Sequence, residues 1–296
     1  MKGKNMQEQA QIIQPQIPKK RPKKGISRFM TFLLTVVLII TSVAFIIKTT
    51  ILNSSFTAKT LMQDDSVTQM YEQTNTAIIN AISGYGITLP QDTEFITQEQ
   101  FEDDLTDVIE NLYAGNEEII DQEKLSHQIQ HNLTEEISQL GLPSGMIDQV
   151  LSPLTSTVAN IFTQNLANSQ ISSFMNTISS IDGYVSMVMV VGMIAVVGLG
   201  GVILLVQRNL FGWFHYLGIG FIISGLVILI LQMAFSFTNL FSNITPNQIA
   251  NQLLQTFISA IKAQMMTLAI GELILGGLAV VLGFLRKFRF SFKRGR

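Results

Sequence analysis

Apolar and polar positions are arranged along the chain in two ways. In four stretches polar residues almost vanish: 29–47, 185–206, 213–235 and 265–285. Elsewhere apolar residues recur every three or four positions among polar ones. A hydrocarbon core of ~30 Å is crossed by about 20 apolar residues in a helix rising ~1.5 Å each. The four stretches run to 19, 22, 23 and 21 residues, and Glu272 is the one charge among them. A buried core helix would explain any one of them, but four together indicate membrane spans. The first is longer than a signal-peptide apolar region, and no small-residue cleavage site follows, so it is expected to stay as an anchor.

The second pattern predicts amphipathic helices between spans one and two. Val67, Met70, Tyr71, Thr74, Ile78 and Ile82 share one helical face. Gly84, Gly86 and Pro90 then predict a break. Thr97 followed by Gln100 is a capping-box pair, ahead of Phe101, Leu105, Val108 and Leu112, with Gly115 as the stop. Leu125, Ile129, Leu133, Ile137 and Leu140 line a third face, closed by Gly141 and Pro143. A fourth stripe includes Ile147, Leu151, Leu154 and Val158, with a kink expected at Pro153, and Ile171 to Ile181 extend it toward span two. Between spans three and four, Thr245 and Pro246 read as the start of a helix carrying Leu253, Phe257 and Ile261 on one face, expected to pack on protein. The expected fold class is thus an all-α integral membrane protein: four transmembrane helices, with a helical extracytoplasmic domain between the first two.

Charge supplies the direction. Residues 1–28 hold eight Lys or Arg and one acid, and residues 286–296 hold six and none. Residues 48–184 hold nineteen of the twenty-one acids and three Lys. Basic residues beside spans stay on the cytoplasmic side. Both tails and the short hairpin 207–212, with Arg208, are therefore expected inside, and 48–184 and 236–264 outside. Lys19, Lys20, Arg21, Lys23 and Lys24, with Arg286, Lys287 and Arg289, are expected against anionic lipid of the inner leaflet. Beside a span such a run is an orientation and lipid signal, so no nucleic-acid partner is expected. Trp213, His215 and Tyr216 fall at the same headgroup level. The acidic domain, at −16 net, is expected to be soluble and to bury its apolar faces against itself, a copy or a protein partner.

Chemistry-bearing residues are few. Cysteine is absent, which excludes disulfides, a cysteine nucleophile and thiolate-bound metals. Glu123, His127, His131 and Glu135 repeat every four residues, and His pairs at that spacing can bind zinc. The apolar stripe on the same helix lies two residues away, about 200° around, so the His stripe is expected to face solvent and no metal is assigned. Glu272 is the sharper signal. It lies seven residues into span four, about 10 Å deep, where a carboxylate is costly and marks a functional site by default. Gln232, Thr41 and Ser42 are the polar side chains expected at similar depth. Glycines at 192, 198, 200, 201, 271, 276, 277 and 283, with the pairs Gly220/Ser224 and Ala279/Gly283, predict close helix packing. No Walker loop, GxSxG, GxGxxG or HExxH occurs, so neither a cofactor nor an enzymatic activity is expected.

The layout is tail, span, large outer domain, two spans in a tight hairpin, small outer loop, span, tail. It resembles that of permease subunits of the FtsX/MacB class, which couple a cytoplasmic ATPase to an outer domain. The resemblance lies in topology alone: that class has strands in its outer domain, whereas this segment reads as helix. The function expected is that of a bacterial cell-envelope interaction, sensing or accessory subunit acting through its outer domain. The alternative is a transport component using Glu272.

Overall fold

The computed structural model describes residues 24–63, 65–84, 94–116, 118–140, 147–166, 169–237 and 248–291. Among them are nine helices and no strand: α1 (Lys24–Thr49), α2 (Ser54–Leu61), α3 (Asp65–Ser83), α4 (Gln98–Ala114), α5 (Gln122–Leu140), α6 (Ile147–Leu166), α7 (Ser169–Gln207), α8 (Leu210–Phe237) and α9 (Gln248–Ser291). Four contain stretches long and apolar enough to cross a membrane: Gly25–Thr49, Ser180–Gln207, Leu210–Ala234 and Asn251–Leu285. That is the pattern of a multi-pass membrane protein.

Helices α2 to α6 enclose one apolar core. Val67, Met70, Ile78 and Ile82 of α3 are buried there, with Phe101, Leu105, Val108 and Leu112 of α4. Leu125, Ile129 and Leu133 of α5 and Leu154 and Val158 of α6 complete it. These are the stripes read from helical spacing. The capping box is also present: the Gln100 N–H donates to Thr97 Oγ1 at 3.2 Å, and the Thr97 N–H to Gln100 Oε1 at 3.0 Å. Gly115 ends α4 in the left-handed region at φ 70°, where a side chain would be strained. Phe95 and Ile96, just ahead of the cap, are fully buried. Ile96 and Phe101 occupy the flanking positions of a hydrophobic staple, which sets the entry angle of α4. Asn75 and Asn132 satisfy the non-helical backbone there. Asn75 Oδ1 accepts from the N–H groups of Phe95 and Ile96, and Asn132 Nδ2 donates to the Phe95 carbonyl at 2.9 Å. Helix α6 runs on through Pro153. The breaks expected at Gly86 to Pro90 and Gly141 to Pro143, the cap at Thr245 and Pro246, and Lys19 to Lys23 lie outside the described residues.

Glycines bring α8 and α9 into close approach. Helices α8 and α9 run antiparallel and make the most extensive contact in the molecule. A Cβ added at Gly218 would lie 2.6 Å from the Gly276 carbonyl oxygen, and one at Gly276 would lie 2.8 Å from that of Gly218. At Gly225 it would meet the Ala269 oxygen at 2.9 Å, and at Gly283 the His215 Cβ at 2.8 Å. The seam is thus Gly218 and Gly225 against Ala269, Gly276 and Gly283, each set spaced by seven. Seven residues are about two helical turns, so the small residues stay on one face. Helix α1 lies against α7 and α8. Gly192 gives room to Thr41, and Gly220 to Leu34 and Thr35. Gly198, Gly201, Gly271 and Gly277, also expected in the packing, have nothing within 4 Å of an added Cβ.

Two helices join the domain to the bundle without a break. Helix α9 has 44 residues and α7 has 39, so they are about 66 and 58 Å long. Each overhangs a ~30 Å hydrocarbon core by roughly its own width again. An amphipathic helix separate from span four was expected; the two are one helix because neither Gly nor Pro interrupts residues 248–270. Leu253 of α9 belongs to the domain core, and Phe257 meets Phe56 of α2 edge-to-face at 6.2 Å. Lys48 at the end of α1 donates to Asp182 of α7 at 2.6 Å.

Candidate functional site at Glu272

Glu272 sits where α1, α8 and α9 meet. Its register on α9 follows from the glycine seam: Gly225 lets the α8 backbone approach so closely that an added Cβ would stand 3.2 Å from Glu272 Cβ. The side chain is only 5% exposed. Ser42 of α1 donates its hydroxyl to Glu272 Oε1. On the domain side, Ile46, Ile228, Met265 and Ala269 form an apolar cluster. The carboxyl group thus lies in the spanning region with apolar side chains between it and the domain.

The arrangement leaves hydrogen-bonding capacity unused. Glu272 Oε2 and Ser224 Oγ are both buried and have no hydrogen-bond partner among the described residues. A carboxylate accepts at about four positions, and here one donor serves it. A buried acceptor left unsatisfied costs about 1–3 kcal/mol. Oε2 is therefore an open acceptor position in the middle of the bundle. Of the polar side chains expected at this depth, Ser42 makes the contact. The Thr41 hydroxyl turns back to the Val37 carbonyl at 2.7 Å and packs against Gly192. Gln232 is half-buried on α8, seven residues beyond Gly225, and so about 10 Å further along that helix. Ser224 had been visible only as half of a small-residue pair. The signal for its burial was the facing glycine repeat 218/225 and 276/283.

The other candidates fall elsewhere. His127 is 73% exposed, with Nε2 4.0 Å from Glu123, and His131 is exposed too, so the stripe faces away from the core. Arg286, Lys287 and Arg289 continue the last turns of α9. Trp213 donates its ring N–H to the Gly200 carbonyl at 2.7 Å, closing the α7–α8 hairpin. His215 packs edge-on to Tyr216 and Phe284.

A charged cluster in the domain went unread in the sequence. Lys124 of α5 reaches Asp107 at 2.5 Å and Asp104 at 3.0 Å on α4. Burial pushes the Asp104 carboxyl above its ordinary value, against the lowering by Lys124 and Gln128, and Oδ2 is buried without a partner among the described residues. Burial pulls the Lys124 ammonium down, and Asp107 and Asp104 outweigh it, so lysine is held above its ordinary value. Asp104 and Lys124 are twenty residues apart in sequence, and no local motif links them. Burial likewise raises the Tyr113 hydroxyl, although it takes part in a 2.6 Å contact with Thr57. No family model, curated protein or solved structure matches the chain.

Proposed function

We propose that this chain is a four-span cell-membrane protein of the bacterial envelope, acting as a sensing or accessory subunit. Its acidic helical domain lies outside the membrane and both termini lie in the cytoplasm. The domain binds a protein partner or a second copy, and the bundle receives the consequence. The observation that carries this reading is the unbroken α9. One helix places Leu253 in the domain core and Glu272 in the bundle. A shift of the domain core therefore has a rigid path to the buried carboxyl group. The orientation is supported by the fifteen basic residues of the tails and hairpin.

The absence of native cysteine makes orientation directly testable. Single cysteines at Ser27, Asn116, Asn209 and Asn247 should react with an impermeant thiol reagent on intact cells only at 116 and 247. Labelling at 209 would overturn the topology. A second reading, transport through the bundle, is favoured by the unpartnered Glu272 Oε2. The permease-like layout agrees with it. Purified protein in liposomes separates the two. The accessory reading expects no proton or cation flux by the chain alone. Flux abolished by Glu272→Gln would establish transport in its place.

A further inference from the structure

A groove of about 510 Å³ runs between α1 and α8 on the side of the bundle. Arg28, His215 and Tyr216 line it at the end away from the domain, and Val36, Ile39 and Ile223 at the deep end. Its length follows from helix rise: eleven residues from Arg28 to Ile39 span about 16 Å, half of a ~30 Å hydrocarbon core. The groove is therefore one leaflet deep. Its floor is dry in character. The hydroxyls of Thr31 and Thr35 donate back to the Ser27 and Thr31 carbonyls at 2.9 Å each, so their own helix already satisfies them. Phe32, Val36 and Ile223 are exposed along its walls.

The two ends differ in chemistry. Arg28 is exposed and has neither an ion pair nor a hydrogen bond among the described residues. The Tyr216 hydroxyl likewise has no hydrogen-bond partner among them, although its ring is packed. No acidic side chain lines the groove. A cation and a hydroxyl donor at one end of an apolar slot one leaflet deep match a phosphate headgroup attached to an acyl chain. We propose that this groove is a binding site for one anionic phospholipid. The acyl chain lies along Phe32, Val36, Ile39, Ile219 and Ile223. The phosphate sits at Arg28, within reach of Tyr216.

The inference rests on the reading that the spans cross a bilayer. Its test uses the full chain in vesicles containing phosphatidylglycerol or phosphatidylcholine, each with a diazirine in the acyl chain. Labelled residues are mapped by mass spectrometry after irradiation. The groove residues should label ahead of the exposed α7 residues Val190, Ile194 and Val197. Phosphatidylglycerol should label the groove roughly fivefold more than phosphatidylcholine, the factor expected from one basic group. Arg28→Gln should remove that preference and keep the groove labelled, whereas Ile219→Trp should empty the groove for both lipids. Even labelling of groove and α7, or equal groove labelling by the two lipids in the wild type, would overturn the proposal. If the spans did not enter the bilayer, α7 would stay unlabelled as well, so the two failures look different.

Discussion

Two adjacent glycines should respond oppositely to the same substitution. Gly276 and Gly277 are neighbours on α9, yet an alanine methyl at 276 would lie 2.8 Å from three atoms of α8: the Gly218 carbonyl oxygen, the Ile222 nitrogen and Ile222 Cγ1. At 277 it would meet nothing within 4 Å. Carbon–oxygen contacts settle near ~3.3–3.6 Å. Gly276→Ala must therefore move the α8 and α9 backbones apart by about half an ångström. Two of the three opposing atoms are backbone, so no side chain can simply turn away. Forcing such a group into a packed interface costs about 1–3 kcal/mol. Both variants gain the same helix propensity, up to about 1 kcal/mol over glycine. That gain cancels between them, so Gly276→Ala should be less stable than Gly277→Ala by the steric cost alone, about 1–3 kcal/mol. The measurement is reversible unfolding of the purified chain in mixed micelles. Stabilities equal within about 0.5 kcal/mol, the usual limit of additivity, would refute the close-approach seam. Gly276 is also one turn from Glu272, so the shift should weaken the Ser42 contact.

Further outcomes follow from the same geometry. Glu272→Gln keeps an acceptor for Ser42 and should leave stability within about 1 kcal/mol, whereas Glu272→Leu removes the acceptor for the Ser42 hydroxyl and should disturb the α1–α9 contact, both read by unfolding in detergent. Thr97→Ala removes the side-chain half of the capping box and should cost about 1 kcal/mol of thermal stability; Gly115→Ala, at φ 70°, should cost about the same. The Asp104 carboxyl is raised in the folded chain, so its contribution is fully present below the ordinary aspartate value and is lost as pH rises through the raised one. Between pH 7 and 4 the wild type should therefore gain stability relative to Asp104→Asn, and a flat difference in melting temperature across that range would count against the burial of Oδ2.

What was legible in the sequence was whatever a single helix determines by itself. The faces of α3, α4 and α5 follow from 3.6-residue periodicity: Val67, Met70, Ile78, Phe101, Leu105, Val108, Leu125, Ile129 and Leu133 are all buried, whereas Asn75, Asp104 and Ile109 are buried outside the stripes. The start of α4 was legible because a capping box lies within four residues. Contacts between distant segments were less so. Glu272 stood out because a carboxylate in an apolar run is rare, but its partner could be narrowed only to residues of similar depth. Helix rotation decides among those, and rotation is set by the glycine seam on the opposite face. Thr41 and Ser42 are consecutive residues, yet one faces Gly192 of α7 and the other Glu272 of α9. The roughly 100° between them is the whole difference.

The same reasoning explains why a domain and a bundle that look separate in composition share one continuous helix. Composition changes sharply near residue 265, from an amphipathic to an apolar stretch, and such a change suggests a boundary. A helix, however, ends because of Gly, Pro or a competing cap, and hydrophobicity does not end it. None of these interrupts α9 between Gln248 and Ile270. The change in composition marks where the surroundings of the helix change, with the helix itself continuous. Leu253 and Glu272 are nineteen residues apart on it, about 28 Å. Helix α7 makes a second continuous connection, and the Lys48–Asp182 pair ties it to α1 at the junction. Rotation of α9 by one domain contact would carry Glu272 past Ser42 by the same angle. A buried carboxyl group with one donor and one idle oxygen is sensitive to such a turn, because its hydrogen bond is lost before any apolar contact is.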